Sequence, residues 1–201
     1  MNHSTTERYN LILASTSQSR RVLLERLGLT FKTVAPMIDE TPRLNELPEN
    51  LVVRLAEAKA RAGATHHPTS LIIASDQVAY IDGQILGKPH TRDRAIAQLE
   101  LVSGRKLSFY NGLCLLNAST GNIELACITY QVHFRSLTRL AIEGYVDREP
   151  AFDSAGSFKS EGLGIALFQR LEGDDPTALI GLPLIQLISM LERAGISPLT
   201  T

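Results

Sequence analysis

Residues 10–28 read NLILASTSQSRRVLLERLG. The opening NLILA is a short, mainly apolar run bounded by polar residues, the pattern of a buried strand. STSQS then supplies a tight polar loop in which Ser17 or Ser19 can cap a helix; Leu23, Leu24 and Leu27 follow at helical spacing, and Gly28 can end it. A buried strand that feeds a helix through a short polar loop is the opening unit of an α/β fold.

The rest of the chain repeats this alternation. Phe31 to Ala35 is expected to form a second strand, followed by the acidic loop IDETPR, and Glu49 to Gly63 an amphipathic helix stopped by glycine. Leu71 to Ser75 (LIIAS) predicts a short strand buried on both faces, and Asp82-Gly83 a hairpin turn. Thr91 to Val102 reads as a helix. Lys106 to Asn117 and Ile123 to Arg135 read as an antiparallel pair around the turn-rich STGN. Thr138 is placed to cap a helix to about Val146, a strand is expected around Ile165 to Leu171, and a last helix runs from Pro183 to Ala194. Helices interleaved with strands and hairpins predict an α/β fold with a mixed sheet. No linker or repeat marks a boundary, so residues 10–201 are expected to be one domain behind a polar tail of residues 1–9.

Composition narrows the function classes. Hydrophobic residues make up 44% of the 201-residue chain and charged residues 20%, enough apolar material for a core and too little charge for a disordered segment. Twenty basic against 21 acidic residues leave a net charge of -1, without the basic footprint that duplex nucleic acid requires. A small anion needs only a few local cations and stays possible. MNHSTTERYN lacks the apolar core of a secretory signal, and no later run approaches the roughly 18 apolar residues that span a bilayer, so a soluble cytoplasmic protein without membrane contact is expected. Cys114 and Cys127 sit in strand-like apolar runs and read as buried small hydrophobes. The five histidines show no Ser or Cys partner for nucleophilic catalysis.

Several side chains point to anion and metal chemistry. Ser15, Thr16, Ser17, Arg20 and Arg21 lie between a strand end and a helix start, where free N–H groups and the helix dipole favour an anion. The glycines and GK[ST] ending of a Walker loop are absent. Projected on a helix, Lys59 falls inside the arc formed by Leu51, Val52, Leu55, Ala58 and Ala62, with Arg54, Glu57 and Arg61 opposite. An ammonium on that stripe must snorkel out or meet an anion. Methionine at 59 would extend the arc, so folding is expected to survive that exchange. Asp76 follows LIIAS, at the expected carboxyl end of a buried strand, where open α/β sheets place ligand-binding groups. Asp39 and Glu40 form a second acidic spot after another strand, and Lys88 lies just past the hairpin. Cations for phosphates and carboxylates for a divalent metal are the two halves of a nucleotide-hydrolysing site.

In order along the chain, LILASTSQSRR, IDET, RLAEAKA, SDQV, ILGKP, AGSFKSEG and GLPL resemble the motifs of the Maf family of nucleoside triphosphate pyrophosphatases, from about Leu11 to Ile196. Gln77 and Glu161 resemble the branch acting on 7-methyl-GTP; the branch acting on dTTP and UTP usually has Thr and Gln there. Ser19 departs from the aromatic residue some members of the 7-methyl-GTP branch carry before the arginine pair. The resemblance implies an elongated mixed sheet flanked by helices, with two lobes around a nucleotide cleft as in inosine triphosphatase-like folds, frequent homodimers, and cleavage between the α and β phosphates with Mg²⁺, Mn²⁺ or Co²⁺. It implies Asp76 as proton acceptor and, with Glu40, as metal ligand; Ser15, Arg20, Lys59 and Lys88 as phosphate contacts, with Arg21 weaker; and Ser19, Gln77 and Glu161 as specificity residues. N7 methylation makes guanine cationic, so Glu161 would complement its charge and its N1–H and amine donors. A dTTP- or UTP-hydrolysing member, or a nucleotide-binding regulator of cell division without turnover, are the competing expectations.

Overall fold

The computed structural model describes residues 10–200; the expected polar tail lies outside the described residues. β1 (Asn10–Ala14) and α1 (Gln18–Glu25) reproduce the strand, loop and helix read from residues 10–28, and β2 (Phe31–Val34) is the expected second strand. Ser17 is the N-cap, its Oγ accepting the Arg20 N–H at 3.4 Å. β1 runs parallel to β2 on one side and to β3 (Ser70–Ile81) on the other, which explains why Leu11 to Ala14 are buried on both faces. α2 (Pro48–Ala64) joins β2 to β3, with Pro48 in its first turn.

β3 turns through Asp82 and Gly83, both at positive φ, into the antiparallel β4 (Gln84–Leu86), the two-residue hairpin the Asp-Gly pair predicts. α3 (Arg92–Val102) is capped by Thr91. β5 (Lys106–Asn117) and β6 (Ile123–Phe134) follow; backbone bonds join Asn117 to Asn122 beside the turn and Arg105 to Phe134 at the far end, as in an antiparallel pair. Thr138 caps α4 (Arg139–Arg148), β7 (Phe168–Glu172) pairs antiparallel with β6, and α5 (Leu184–Arg193) ends the fold. The strand order β2-β1-β3-β5-β6-β7, with β4 beside β3, contains parallel and antiparallel pairs and is the expected mixed sheet.

Three local expectations are corrected. The strand expected to end at Ser75 continues to Ile81, so Asp76 lies within β3 and not at its carboxyl end. Val78, Ala79 and Ile81 are buried and carry the strand past the acidic residue into its hairpin. The strand expected over residues 165–171 begins at Phe168, because Leu163–Leu167 forms a 3-10 helix. Cys114 is buried as expected and burial pushes its thiol up to about 12, whereas Cys127 is exposed on β6, and both are free thiols.

The chain divides into two compact units. The first comprises residues up to Asp76, Asn111–Ile128 and those from Gly181 onward; the second comprises Gln77–Tyr110 and Thr129–Ile180. In the first, Ile12, Ile72, Cys114 and Leu116 from the strands pack on Ala56 and Ala60 of α2. Small residues on that helix face allow its backbone to approach the sheet. The approach is close at Gly112 of β5, where a Cβ would overlap the carbonyl group of Val52 near the start of α2. Backbone on both sides cannot yield as a side chain could, so Gly112→Ala is expected to cost about 3 kcal/mol and lower the melting temperature by about 6–12 °C. Thermal unfolding of the variant checks this; a melting point equal to wild type would mean that α2 and β5 are not in backbone contact.

The second unit has an aromatic core. Phe158 meets Phe109, Phe134 and Phe168 edge-to-face, with ring centroids 4.9 to 5.6 Å apart. Gly156, at φ +77, lies against Leu107, Phe109 and Phe158, so the glycine of AGSF serves both a left-handed turn and a close contact. The stretch between residues 158 and 167 is therefore anchored on either side, by Phe158 and by Leu167 and Phe168, all buried.

Candidate active site

Lys59 settles what an ammonium does on the buried face of α2. It is 5% exposed, and its Nζ donates to Asp76 Oδ1 at 2.6 Å and pairs with Glu40 Oε1 at 2.9 Å. The side chain therefore meets anions. Helix periodicity places it inward, strand β3 carries Asp76 in its buried stretch, and the loop after β2 brings Glu40 from the solvent side. Asp76 and Lys59 have both left water, so each depends on the other; Glu40, with its side chain 56% exposed, completes the cluster from the rim. Among the described residues no second hydrogen bond reaches the Asp76 carboxylate, which keeps Oδ2 available to a ligand or water. Two of the three Lys59 N–H donors are engaged, leaving one for a further acceptor.

The loop and first turn at the β1–α1 junction supply the second part. Ser15 is buried, and its Oγ accepts the Ser17 N–H at 3.1 Å, which leaves its hydroxyl hydrogen free to donate. The half-buried Arg20 donates from Nε to the Gly181 carbonyl at 2.8 Å, and the buried Ser75 hydroxyl donates to the same oxygen at 3.0 Å. Gly181 thus fixes the arginine by its inner nitrogen, and among the described residues no hydrogen bond engages the two terminal nitrogens. Burial lowers the Arg20 guanidinium from its ordinary value, opposed by the charges of Asp76 and Glu40, so the cation shares the field of both carboxylates. The two outer nitrogens suit an oxyanion. Ser19 is half-buried in the first turn of α1, and Arg21 turns outward to an exposed pair with Glu25.

A clamp that pattern reading missed holds the loop carrying Glu40. Arg54 of α2 donates from Nε and Nη2 to the two Glu46 oxygens, both at 2.6 Å, and from Nη2 to the Thr41 carbonyl at 3.2 Å. Glu46 also accepts the Arg43 N–H, and Asp39 accepts the Thr41 N–H, both at 2.9 Å. Helical projection places Arg54 on the face of α2 opposite Lys59 and says no more; its partner lies eight residues away in another element, a spacing no periodic pattern signals. The bidentate Arg54 contact holds the Glu46 carboxyl down from the ordinary 4.5 to about 2. A carboxylate with a lowered folded pKa contributes stability that is complete above the unfolded value and lost as pH falls through the folded one. The stability gap between wild type and Glu46→Gln should therefore shrink between about pH 4.5 and pH 2. Urea unfolding across that window checks it; a constant gap would mean that the clamp is not charged.

Gln77, Lys88 and Glu161 belong to the second unit. Gln77 donates from Nε2 to the carbonyls of Ala178 at 2.8 Å and Leu179 at 3.2 Å, so its amide donors secure the 3-10 turn of Pro176–Ile180 and its amide oxygen stays available. Lys88 is exposed beyond β4 and makes no ion pair among the described residues. Glu161 is exposed at the tip of a tight turn, its Oε2 accepting the Ser160 hydroxyl at 3.3 Å. Thus the structure brings Arg20, Glu40, Lys59 and Asp76 together within the first unit, which also contains the buried Ser15 at the β1–α1 junction.

The donor set constrains which metal could be held. Among the described residues no three His, Cys, Asp or Glu side chains converge as a metal cage. Glu40 and Asp76 instead meet at one ammonium, a pair of hard oxygen donors without nitrogen or sulfur. That set fits a cation such as Mg²⁺, which takes one or two carboxylates and completes its shell with phosphate oxygens and water.

A 7-methyl-GTP pyrophosphatase of Aliivibrio fischeri is 54% identical over 94% of this chain and 98% of its own length. Proteins of the same description from Vibrio vulnificus and Nitrosococcus oceani are 53% and 55% identical, over 96% and 92% of this chain and 99% and 93% of theirs. The Staphylococcus aureus Ham1 protein superposes with a TM-score of 0.52 at 13% identity, covering 93% of this chain and 100% of that one, a likeness of fold alone. No described helix is long and apolar enough to cross a membrane. The Maf-like protein family profile matches residues 10–194, nearly the whole described chain, and the chain belongs to that family.

Proposed function

We propose that this chain is a nucleoside triphosphate pyrophosphatase that converts 7-methyl-GTP to 7-methyl-GMP and pyrophosphate. The observation that carries the reading is the buried Lys59–Asp76 pair with Glu40 at its rim, in a chain more than half identical to proteins named for that activity. A water must be deprotonated as it attacks the α phosphorus, and a triphosphate must be neutralised as pyrophosphate leaves. Asp76 is suited to the proton transfer, because Lys59 fixes one carboxylate oxygen and the other is available to take the water's proton. Arg20, anchored by Nε, offers its terminal nitrogens to phosphate oxygens, joined by the Ser15 hydroxyl and the remaining Lys59 donor. The Gly181 carbonyl, which also accepts the Ser75 hydroxyl, preorganises Arg20, so the guanidinium needs little reorganisation as charge develops. Lys88, free of ion pairs among the described residues, is a further proposed phosphate contact.

Glu40 and Asp76 would hold the divalent cation. When bound, such an ion neutralises phosphate charge and makes water more acidic. Lys59, between the two carboxylates, holds them in place before it arrives.

Glu161 is proposed to select the base, as a carboxylate opposite a guanine made cationic by N7 methylation, with Gln77 and Ser19 as further specificity positions. The testing experiment is a nucleotide panel supplied with Mg²⁺, Mn²⁺ or Co²⁺ and read by pyrophosphate release. The expected result is a catalytic efficiency for 7-methyl-GTP at least about tenfold above those for GTP, dTTP and UTP, about 1.4 kcal/mol of differential transition-state binding. Equal efficiencies for dTTP and 7-methyl-GTP would overturn the base assignment and leave the pyrophosphatase reading standing.

A further inference from the structure

The turn that carries Glu161 is held from beneath by two residues that none of the chemistry above uses. Tyr145 is buried on α4, and its hydroxyl donates to Glu149 Oε2 at 3.1 Å while accepting the Lys159 N–H at 3.2 Å. The same Glu149 oxygen accepts the Gly164 N–H at 3.0 Å. Gly162 packs directly on the Glu149 carboxylate, where a Cβ would overlap Oε1, and Gly164 packs as closely on the Lys159 carbonyl, which also accepts the Gly162 N–H at 3.3 Å. Residues 159–164 are thereby wound around one carboxylate and one phenol, with Glu161 the exposed residue at their centre.

The electrostatics of this support are unusual. Glu149 makes no ion pair among the described residues; its charge is met by a phenol and a backbone amide. Burial pushes the Tyr145 hydroxyl far above its ordinary range, so it stays a donor to Glu149 at all working pH values. Hydrogen bonds to an ionised carboxylate are roughly twice as strong as neutral ones, and through Glu149 they tie α4, at Tyr145, to the turn, at Gly164. The turn has an anchored base on either side, Phe158 in the aromatic cluster and Leu167 and Phe168 in the core, so the remaining freedom is that of residues 159–164.

We propose that Glu149 and Tyr145 are specificity-positioning residues: they fix the turn so that Glu161 is presented to a cationic purine in one orientation. The inference rests on the 7-methyl-GTP reading and adds two residues to it. A carboxylate discriminates by charge and by hydrogen-bond direction only if it is held still, because a mobile one loses in ordering what it gains in contact. Neither residue touches the substrate in this account; they act through Glu161.

The test is the ratio of catalytic efficiencies for 7-methyl-GTP and GTP in wild type, Tyr145→Phe, Glu149→Gln, Glu161→Gln and the Glu149→Gln/Glu161→Gln double variant. Tyr145→Phe and Glu149→Gln should each lower the ratio at least about threefold, chiefly through a higher KM for 7-methyl-GTP, with the loss for GTP smaller. In the Glu161→Gln background, Glu149→Gln should change the ratio no further, the non-additivity expected of residues acting through one group. Equal losses for both nucleotides would assign the pair a structural role only, and additive effects would mean that they do not act through Glu161; either result overturns the proposal. Tyr145→Phe removes a single oxygen and keeps the packing, so it decides the matter if the Glu149 variant fails to fold. A wild-type preference that survives both substitutions overturns this inference alone, whereas a wild type without preference overturns the 7-methyl-GTP reading and this inference with it.

Discussion

Replacing Asp76 by asparagine is expected to abolish nearly all hydrolysis, by about 10²- to 10⁴-fold in turnover, while the protein stays folded. The amide keeps an oxygen where Lys59 donates, so the inner contact of the cluster survives in neutral form. What disappears is the carboxylate that would accept the proton of the attacking water. Pyrophosphate release by the purified variant, beside its melting curve, separates the two effects. A folded variant with wild-type turnover would remove Asp76 from the chemistry.

Lys59→Met should be the more damaging change to the protein itself. Read as a helix face alone, methionine extends the apolar arc and folding should tolerate it. The structure reverses that expectation, because Lys59 is the direct partner of a buried carboxylate. Removing one member of a buried pair leaves the other charge without compensation, a loss on the order of 3 kcal/mol. The diagnostic comparison is with the Lys59→Met/Asp76→Asn double variant, which carries neither charge and should regain much of the lost stability. Chemical denaturation of the three variants checks the pattern. A stable Lys59→Met single variant would mean that solvent or Arg20 already compensates Asp76.

The parts of this fold legible in sequence are those written in local chemistry. Ser17, Thr91 and Thr138 each precede a helix and each accepts the N–H three residues on, and Asp82-Gly83 tolerates the positive φ that the hairpin demands. Lys59 is legible as a conflict, a charge on an apolar face, and the conflict points to the carboxylates that resolve it. Asp76 misleads for the converse reason. A charged residue after LIIAS looks like the end of a strand, but a counter-charge from α2 lets β3 continue through it.

The remaining site features have no local signature. Gly181 acts through its backbone carbonyl, which every residue possesses, so nothing in GLPL announces that it anchors Arg20 and Ser75. The Arg54–Glu46 clamp joins a helix to a loop, and its spacing follows the path of the chain and not a period. Tyr145 on α4 and Glu149 at its C-cap are four residues apart, a visible pair, but their target in the turn at 159–164 becomes apparent only in three dimensions. Cys127 shows the limit of composition: an apolar run on β6 faces solvent at alternate positions.

The central claim, that this cluster directs water to the α phosphorus of a nucleoside triphosphate, is tested most directly by resolving the products. Wild-type protein incubated with 7-methyl-GTP and a divalent cation, and followed by ³¹P NMR, should yield 7-methyl-GMP and pyrophosphate in equal amounts, with neither appearing for Asp76→Asn. Nucleoside diphosphate with orthophosphate would place the attack on the wrong phosphorus, and binding of the nucleotide without any product would make the protein a nucleotide-binding regulator; either result would contradict the account.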